Sequence, residues 1–280
     1  MKKLWGLVVF VAGSLLACHR GIAPSAPSAR LVPPPLANPT DAGVAEAAAE
    51  TDPAAEFAAA RGYLQSLGDK IDYKRECFPI SEKDDKFFFR GAMKLVCHLR
   101  AFPNLALLIA SKHTSDDADQ VARDEPPQLQ VIVESSRAIG APISVVPFDA
   151  NIIEVPCTER NGKLLGEPCP AFLEGWLSPD THRALKWVDF EAGYPQFEDD
   201  PAAMKQLCRS VSAIGTFFEF GGSISDIQGF LSLAGETKGT FILADPLRAR
   251  AANSKKRGQA PPPIQMVVDA VCKTELPRSH

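Results

Sequence analysis

The residues able to do chemistry in this chain are few, and most of them are cysteines. Of seven in 280 residues, Cys18 stands near the start, and Cys77, Cys97, Cys157, Cys169, Cys208 and Cys272 are spread through the rest. No two of these six lie two to four residues apart, so neither a redox C-x-x-C nor a zinc ligand set is present. An even number of well-separated thiols suits disulfides formed in an oxidising compartment, and six cysteines allow 15 connectivities. Pairing of sequence neighbours is the expectation: Cys77 with Cys97, Cys157 with Cys169, and Cys208 with Cys272. The short loop closed by Cys157 and Cys169 would contribute up to about 3 kcal/mol by restricting the unfolded chain. Cys208 and Cys272 fall on or beside apolar helix faces, so their bond would lock the last helix in place.

Other reactive types are scattered. Between the first fifty residues and the C-terminal His280, the histidines are His98, His113 and His182. His113 stands near Asp116, Asp117 and Asp119, but the spacing lacks the central glycine and terminal glutamate of a calcium loop. His98 follows Cys97 in a strand-like run, where alternation turns the two side chains to opposite faces. The chain has no G-x-S-x-G, S-x-x-K, H-E-x-x-H or Walker sequence. No catalytic residue, metal site or cofactor is therefore assigned. A hydrolase with dispersed active residues is the alternative to a non-catalytic role. It would have to bring one of those histidines into a pocket with carboxylates. Arg248, Arg250, Lys255, Lys256 and Arg257 form a basic loop that could steer an acidic partner, with Asp116–Glu125 and Glu198–Asp200 as acidic counterparts. Trp176 and Trp187 flank a polar stretch; burial is the expectation for both.

The elements that would position these groups read as α+β, a compact mixed or antiparallel sheet region with packed helices. Asp52-Pro53 starts a helix with Phe57, Ala60, Leu64 and Leu67 on one face, stopped at Gly68. Strand-like runs follow at 87–90, 94–99, 105–110, 130–134, 143–148 and 152–155, and 161–170 reads as a loop stapled by two cysteines. Asp200-Pro201 opens a helix carrying Met204, Leu207, Cys208 and Val211 on one face. A strand at 216–220, a helix behind the capping-box pair Ser225 and Gln228, a strand at 240–244 and a last helix with Ile264, Val267, Val268 and Val271 complete the reading. Two subdomains would meet near Asp199, over 53–198 and 199–280.

Before Asp52 the chain is of another kind. Lys2 and Lys3 precede an apolar run from Leu4 to Leu16, too short to span a bilayer, which takes about 20 apolar residues. Leu15-Leu16-Ala17-Cys18 resembles the lipobox of bacterial lipoproteins. The resemblance implies cleavage after residue 17 and lipid attached to Cys18. Loss of Lys2 and Lys3 takes the formal charge from −4 to −6, without the basic footprint of a nucleic-acid binder. Residues 18–52 are rich in Ala, Pro and Ser, including Pro33-Pro34-Pro35. Such a composition predicts a disordered tether reaching on the order of 100 Å when extended. His19 is not the aspartate that retains some lipoproteins at the inner membrane, so the outer membrane, facing the periplasm, is the expected site.

A second likeness lies near the C-terminus. Asp226-Ile227, Leu231, Leu233-Ala234, Gly239, Ile242 and Asp245-Pro246 match a D-I-x-x-x-L-x-L-A helix followed by a G-x-x-I-x-x-D-P strand. This pattern resembles the short N-terminal domain of secretins and TonB-dependent transducers, with 265–271 as its second helix. The resemblance implies a βαβ…α protein-docking module. The basic loop stands where that family continues with a short strand. Together these features lead to the expectation of a non-catalytic, lipid-anchored envelope protein. It would dock or scaffold a periplasmic or outer-membrane complex, secretin- or transporter-like.

Overall fold

The computed structural model describes residues 52–80, 86–90, 93–111, 117–192, 197 and 199–273. The expectations placed on Cys18, the signal and the tether lie outside these residues, as does His113.

The architecture is α+β, with five helices and two antiparallel sheets among the described residues. Helix α1 (Pro53–Leu67) starts where Asp52 accepts a hydrogen bond from the Ala54 N–H at 3.1 Å, and Pro53 occupies the first turn. It stops at Gly68, whose φ of 48° suits a residue without Cβ. Its Phe57, Ala60 and Leu64, with Tyr73 of the one-turn helix α2 (Tyr73–Glu76), cover one face of the first sheet. That sheet comprises β1 (Phe89–Arg90), β2 (Lys94–His98), β3 (Leu105–Ala110), β4 (Ile153–Thr158) and β5 (Leu164–Gly175), in the order β1-β2-β3-β5-β4.

Helix α3 (Ala118–Ala138) packs against β3 and β5 on one side and against β8 (Phe241–Leu247) on the other. The second sheet is β6 (His182–Lys186), β7 (Asp226–Ser232) and β8, in that order. On its far side lie α4 (Pro201–Glu219) and α5 (Pro262–Lys273), which bury Leu207, Val211, Ile214, Ile264, Val267 and Val271 against it. The layers therefore run α1, first sheet, α3, second sheet, then α4 with α5. Main-chain bonds from the segment after α3 also join the sheets. Val146 donates to Leu243 of β8, while Asp149 donates to Leu173 and Gly175 donates to Pro147.

Three disulfides join Cys77–Cys97, Cys157–Cys169 and Cys208–Cys272, the pairing of sequence neighbours. The first ties the end of α2 to β2, the second crosses the β4–β5 hairpin, and the third clamps α5 onto α4.

Several expected elements differ, each for a physical reason. Residues 130–134 are helix, not strand: the β-branched run Val131-Ile132-Val133 looks extended, but Ala118, Ala122, Glu125, Leu129 and Ile132 share one buried helical stripe. Pro126 and Pro127 sit inside that helix, where they deprive Ala122 and Arg123 carbonyls of their usual donors. Residues 143–148 make isolated bridges, Val145 to Leu243 and Phe148 to Glu174, because the segment passes from one sheet to the other. Much of the expected loop at 161–170 is the first half of β5, with only the tip at 159–163 left as a turn. Residues 216–220 close α4 and are not a strand.

The segment expected as a helix at 225–234 is β7. It is apolar on both faces: Ile227 and Leu231 pack toward α4 and α5, while Phe230 packs with Ala244 and Leu129 toward α3. A strand buried on both faces loses its alternation and is ambiguous by periodicity. Gly229 settles the matter sterically, since a Cβ there would lie 2.2 Å from the Ile242 carbonyl oxygen of β8. The order in this region is thus α-β-β-α, without the helix on which the secretin-like pattern was read.

Non-reduced peptide mapping is expected to recover the three neighbour pairs, and a free thiol or crossed pair would contradict them. Gly229→Ala is expected to cost about 1–3 kcal/mol in a urea titration, through forced separation of β7 and β8.

Candidate functional site

The densest chemistry lies where α3 meets both sheets. Lys94 stands at the start of β2 on the α3-facing side of the first sheet, and only 5% of it is exposed. Its ammonium pairs with Glu125 of α3, which is 1% exposed, and lies 3.0 Å from Asp245 Oδ1 of β8. Glu174 of β5, 7% exposed, adds a third carboxyl group, and the Phe172 ring lies with its centroid 5.6 Å from Lys94 Nζ. Gln228 of β7 donates to Asp245 Oδ2 at 2.9 Å. Four elements thus converge on one ammonium.

The local sequence places each group. Lys94, Val96 and His98 alternate onto one face of β2, leaving Leu95, Cys97 and Leu99 to the core under α1. Glu125 occupies the apolar stripe of α3. Asp245 has a φ of 50°, where the ladder between β7 and β8 shifts register, and Pro246 follows it. Aspartate tolerates this left-handed backbone better than most residues, at a cost on the order of 1 kcal/mol. The irregularity carries its carboxylate toward Lys94.

Burial pushes Glu125 up to about 7, opposed by Lys94 and reinforced by Asp245. Burial and the neighbouring Glu125 raise Glu174 well above the ordinary carboxyl range. Lys94 remains firmly protonated: burial works to lower it, but Glu125, Asp245 and Glu174 outweigh that effect. Glu125 Oε1 and Glu174 Oε1 are both buried and have no hydrogen-bond partner among the described residues. Chemically the cluster can store and release a proton. Lys94, Glu125 and Glu174 are walled in by α3 and the two sheets, Asp245 is part-exposed, and among the described residues no group of three or more His, Cys, Asp and Glu is arranged for a metal ion.

The sequence-expected candidates fall elsewhere. His98 stacks on Trp176 with ring centroids 4.1 Å apart, and also meets Phe78 at 4.6 Å, on the first sheet. His182 begins β6 on the second sheet, beside the Thr181 hydroxyl. The two histidines are not brought together. Trp187 is buried against Phe190 and Phe241, whereas Trp176 is only half-buried, next to the partly exposed Phe89. The acidic run mostly enters α3, whose Arg123 pairs with Glu154 of β4.

The basic loop wraps the C-terminal end of α4. Asn253 and Gly258 donate main-chain hydrogen bonds to the Phe220 and Glu219 carbonyls at 2.8 and 2.7 Å. Arg257 reaches Glu219 at 3.4 Å and lies over the Phe220 ring, and Arg250 bridges Ser223. Positive charge at a helix C-terminus opposes the partial negative charge of its last carbonyls. Arg248 sits at the bend after β8, with a φ of 51°, and Lys255 and Lys256 are exposed. Beside the loop, Glu219, Arg257, Gln265, Met266 and Asp269 line an open depression of about 570 Å³, with Met266 59% exposed.

No family model matches this chain, and no curated protein matches it.

The buried quartet was not singled out from the sequence. The signal for it was present: a lysine opening an apolar strand, a glutamate in a helical apolar stripe, and a glutamate inside the apolar run Ala171-Phe172-Leu173-Glu174. Lys94→Met is expected to destabilise by about 3–5 kcal/mol in chemical denaturation, because it strands buried carboxylates. Lys94→Met with Glu125→Leu is expected to recover part of that loss. A single-variant cost below about 1 kcal/mol would show the cluster to be solvated.

Proposed function

We propose that this chain is an exported envelope lipoprotein, anchored through Cys18 and non-catalytic, which docks or holds together a periplasmic or outer-membrane protein complex. The observation that carries this reading is the three disulfides, two on the first sheet and one between α4 and α5, since such bonds persist in an oxidising compartment. The lipobox-like Leu15–Cys18 places the anchor at the end of a long Pro/Ala-rich segment. Lys94, Glu125 and Glu174 are buried in the joint between the sheets, which fits a structural role better than turnover of a substrate. The outward features are of the docking kind: exposed Lys255 and Lys256, and the depression bordered by Met266. The reading does not lean on the secretin-like pattern, whose key helix is β7.

Growth with a labelled fatty acid is expected to mark the wild-type protein and leave Cys18→Ser unmarked, with the variant released from the membrane fraction. An unlabelled, cytoplasmic wild type would remove the anchor and the docking role together. Reversing Lys255 and Lys256 to Glu is expected to weaken salt-sensitive crosslinking to envelope proteins without moving the denaturation midpoint.

A further inference from the structure

We propose that the cluster of Lys94, Glu125, Glu174 and Asp245 is a proton-operated latch that holds β8 against α3 and the first sheet, and opens when a proton leaves. Charge counting makes the first argument. One ammonium faces three carboxyl groups, so the fully ionised cluster would carry a net negative charge where water is largely excluded. Closure therefore favours a proton on at least one carboxyl group. The hydrogen bonds make the second. Glu125 and Asp245 both pair with Lys94, and Asp245 also accepts from Gln228, while Glu174 makes no ion pair among the described residues. Its buried Oε1, like that of Glu125, lacks a donor. A protonated carboxyl group brings a donor to this place, and Glu174 is the member best suited to hold it.

The moving part is β8. Asp245 is the sole carboxylate contributed by the second sheet and the most exposed member, with a side chain 37% accessible. It sits at the register shift, in a left-handed backbone, ahead of a proline that cannot donate. Its side-chain bonds hold that irregular stretch in place. No other charge interrupts the balance from the packed elements: β3 carries none, β2 adds only His98 further along the same face, and β7 adds Asp226 at its start. On α3, Arg123 is drawn away to Glu154, and Asp124 is exposed.

The sign follows from proton counting. An acid raised in the folded state binds more protons there than in the open chain, so the closed form is favoured below the ordinary carboxyl range. That stability drains as pH climbs from the ordinary carboxyl range, until the raised carboxyl group is ionised in the closed form as well. The latch is closed in acid and loosened by alkali, the reverse of a salt bridge whose carboxylate is lowered.

Hydrogen exchange on the full chain tests it, with the peptide containing 241–247 divided by that containing 105–110 to cancel intrinsic rates. From about pH 5 upward the wild-type ratio is expected to climb, by up to about ten-fold per pH unit for release of one proton, and to level off once the raised carboxyl group is ionised in the closed form as well. Glu174→Gln, neutral at every pH, is expected to flatten the climb. A flat wild-type ratio, or an unchanged climb in Glu174→Gln, overturns the latch. If that variant does not fold, Asp245→Asn serves instead: with one negative charge gone, the remaining acids ionise more readily, so the climb is expected to level off at lower pH, and an unshifted climb overturns the proposal.

Discussion

A buried ammonium must be neutralised where it stands, and Lys94 is neutralised by carboxyl groups from three other elements. That requirement shapes the middle of the molecule. Helix α3 must present Glu125 toward β2, and β8 must bend out of register to present Asp245. The burial of Lys94 is expensive on its own and tolerable only with its partners in place, so the two sheets are coupled through electrostatics as well as packing. The main-chain bonds of residues 144–149 make a second, charge-free connection between the same sheets. One connection is ionic; the other is not.

The rest of the structure is held by more ordinary means. Each disulfide bridges elements within one side of the molecule: two strengthen the α1 side of the first sheet, and one secures α5 on α4. None crosses α3. The joint between the sheets is therefore the place where side-chain chemistry, and not a covalent bond, governs how firmly the layers hold.

Legibility from the sequence followed the strength of the local signal. The caps at Asp52-Pro53 and Asp200-Pro201, the stop at Gly68, and the faces of α1, α4 and α5 are local and were readable. So were β3 and the neighbour pairing of the cysteines. Two of the misread segments show why: 130–134 is a β-branched run inside a helix, and 226–232 is apolar on both faces because it is covered from two directions. Once both faces are buried, periodicity no longer separates helix from strand. The basic loop was visible as charge, but its embrace of the end of α4 was not, because the Glu219 and Phe220 carbonyls it satisfies belong to a distant helix.

By itself the sequence determined the α+β class, the starts of α1 and α4, the stop at Gly68, the cysteine economy and the sharp change of composition before Asp52, since these depend on residue type and near neighbours. Only the tertiary structure decided that a lysine, two glutamates and an aspartate, spread from residue 94 to 245, meet at one point, the first three of them buried. Their meeting depends on α3 lying between two sheets, and on a register shift in β8. Neither is encoded in any window short enough to read, because charges buried together in space act across whatever length of chain separates them.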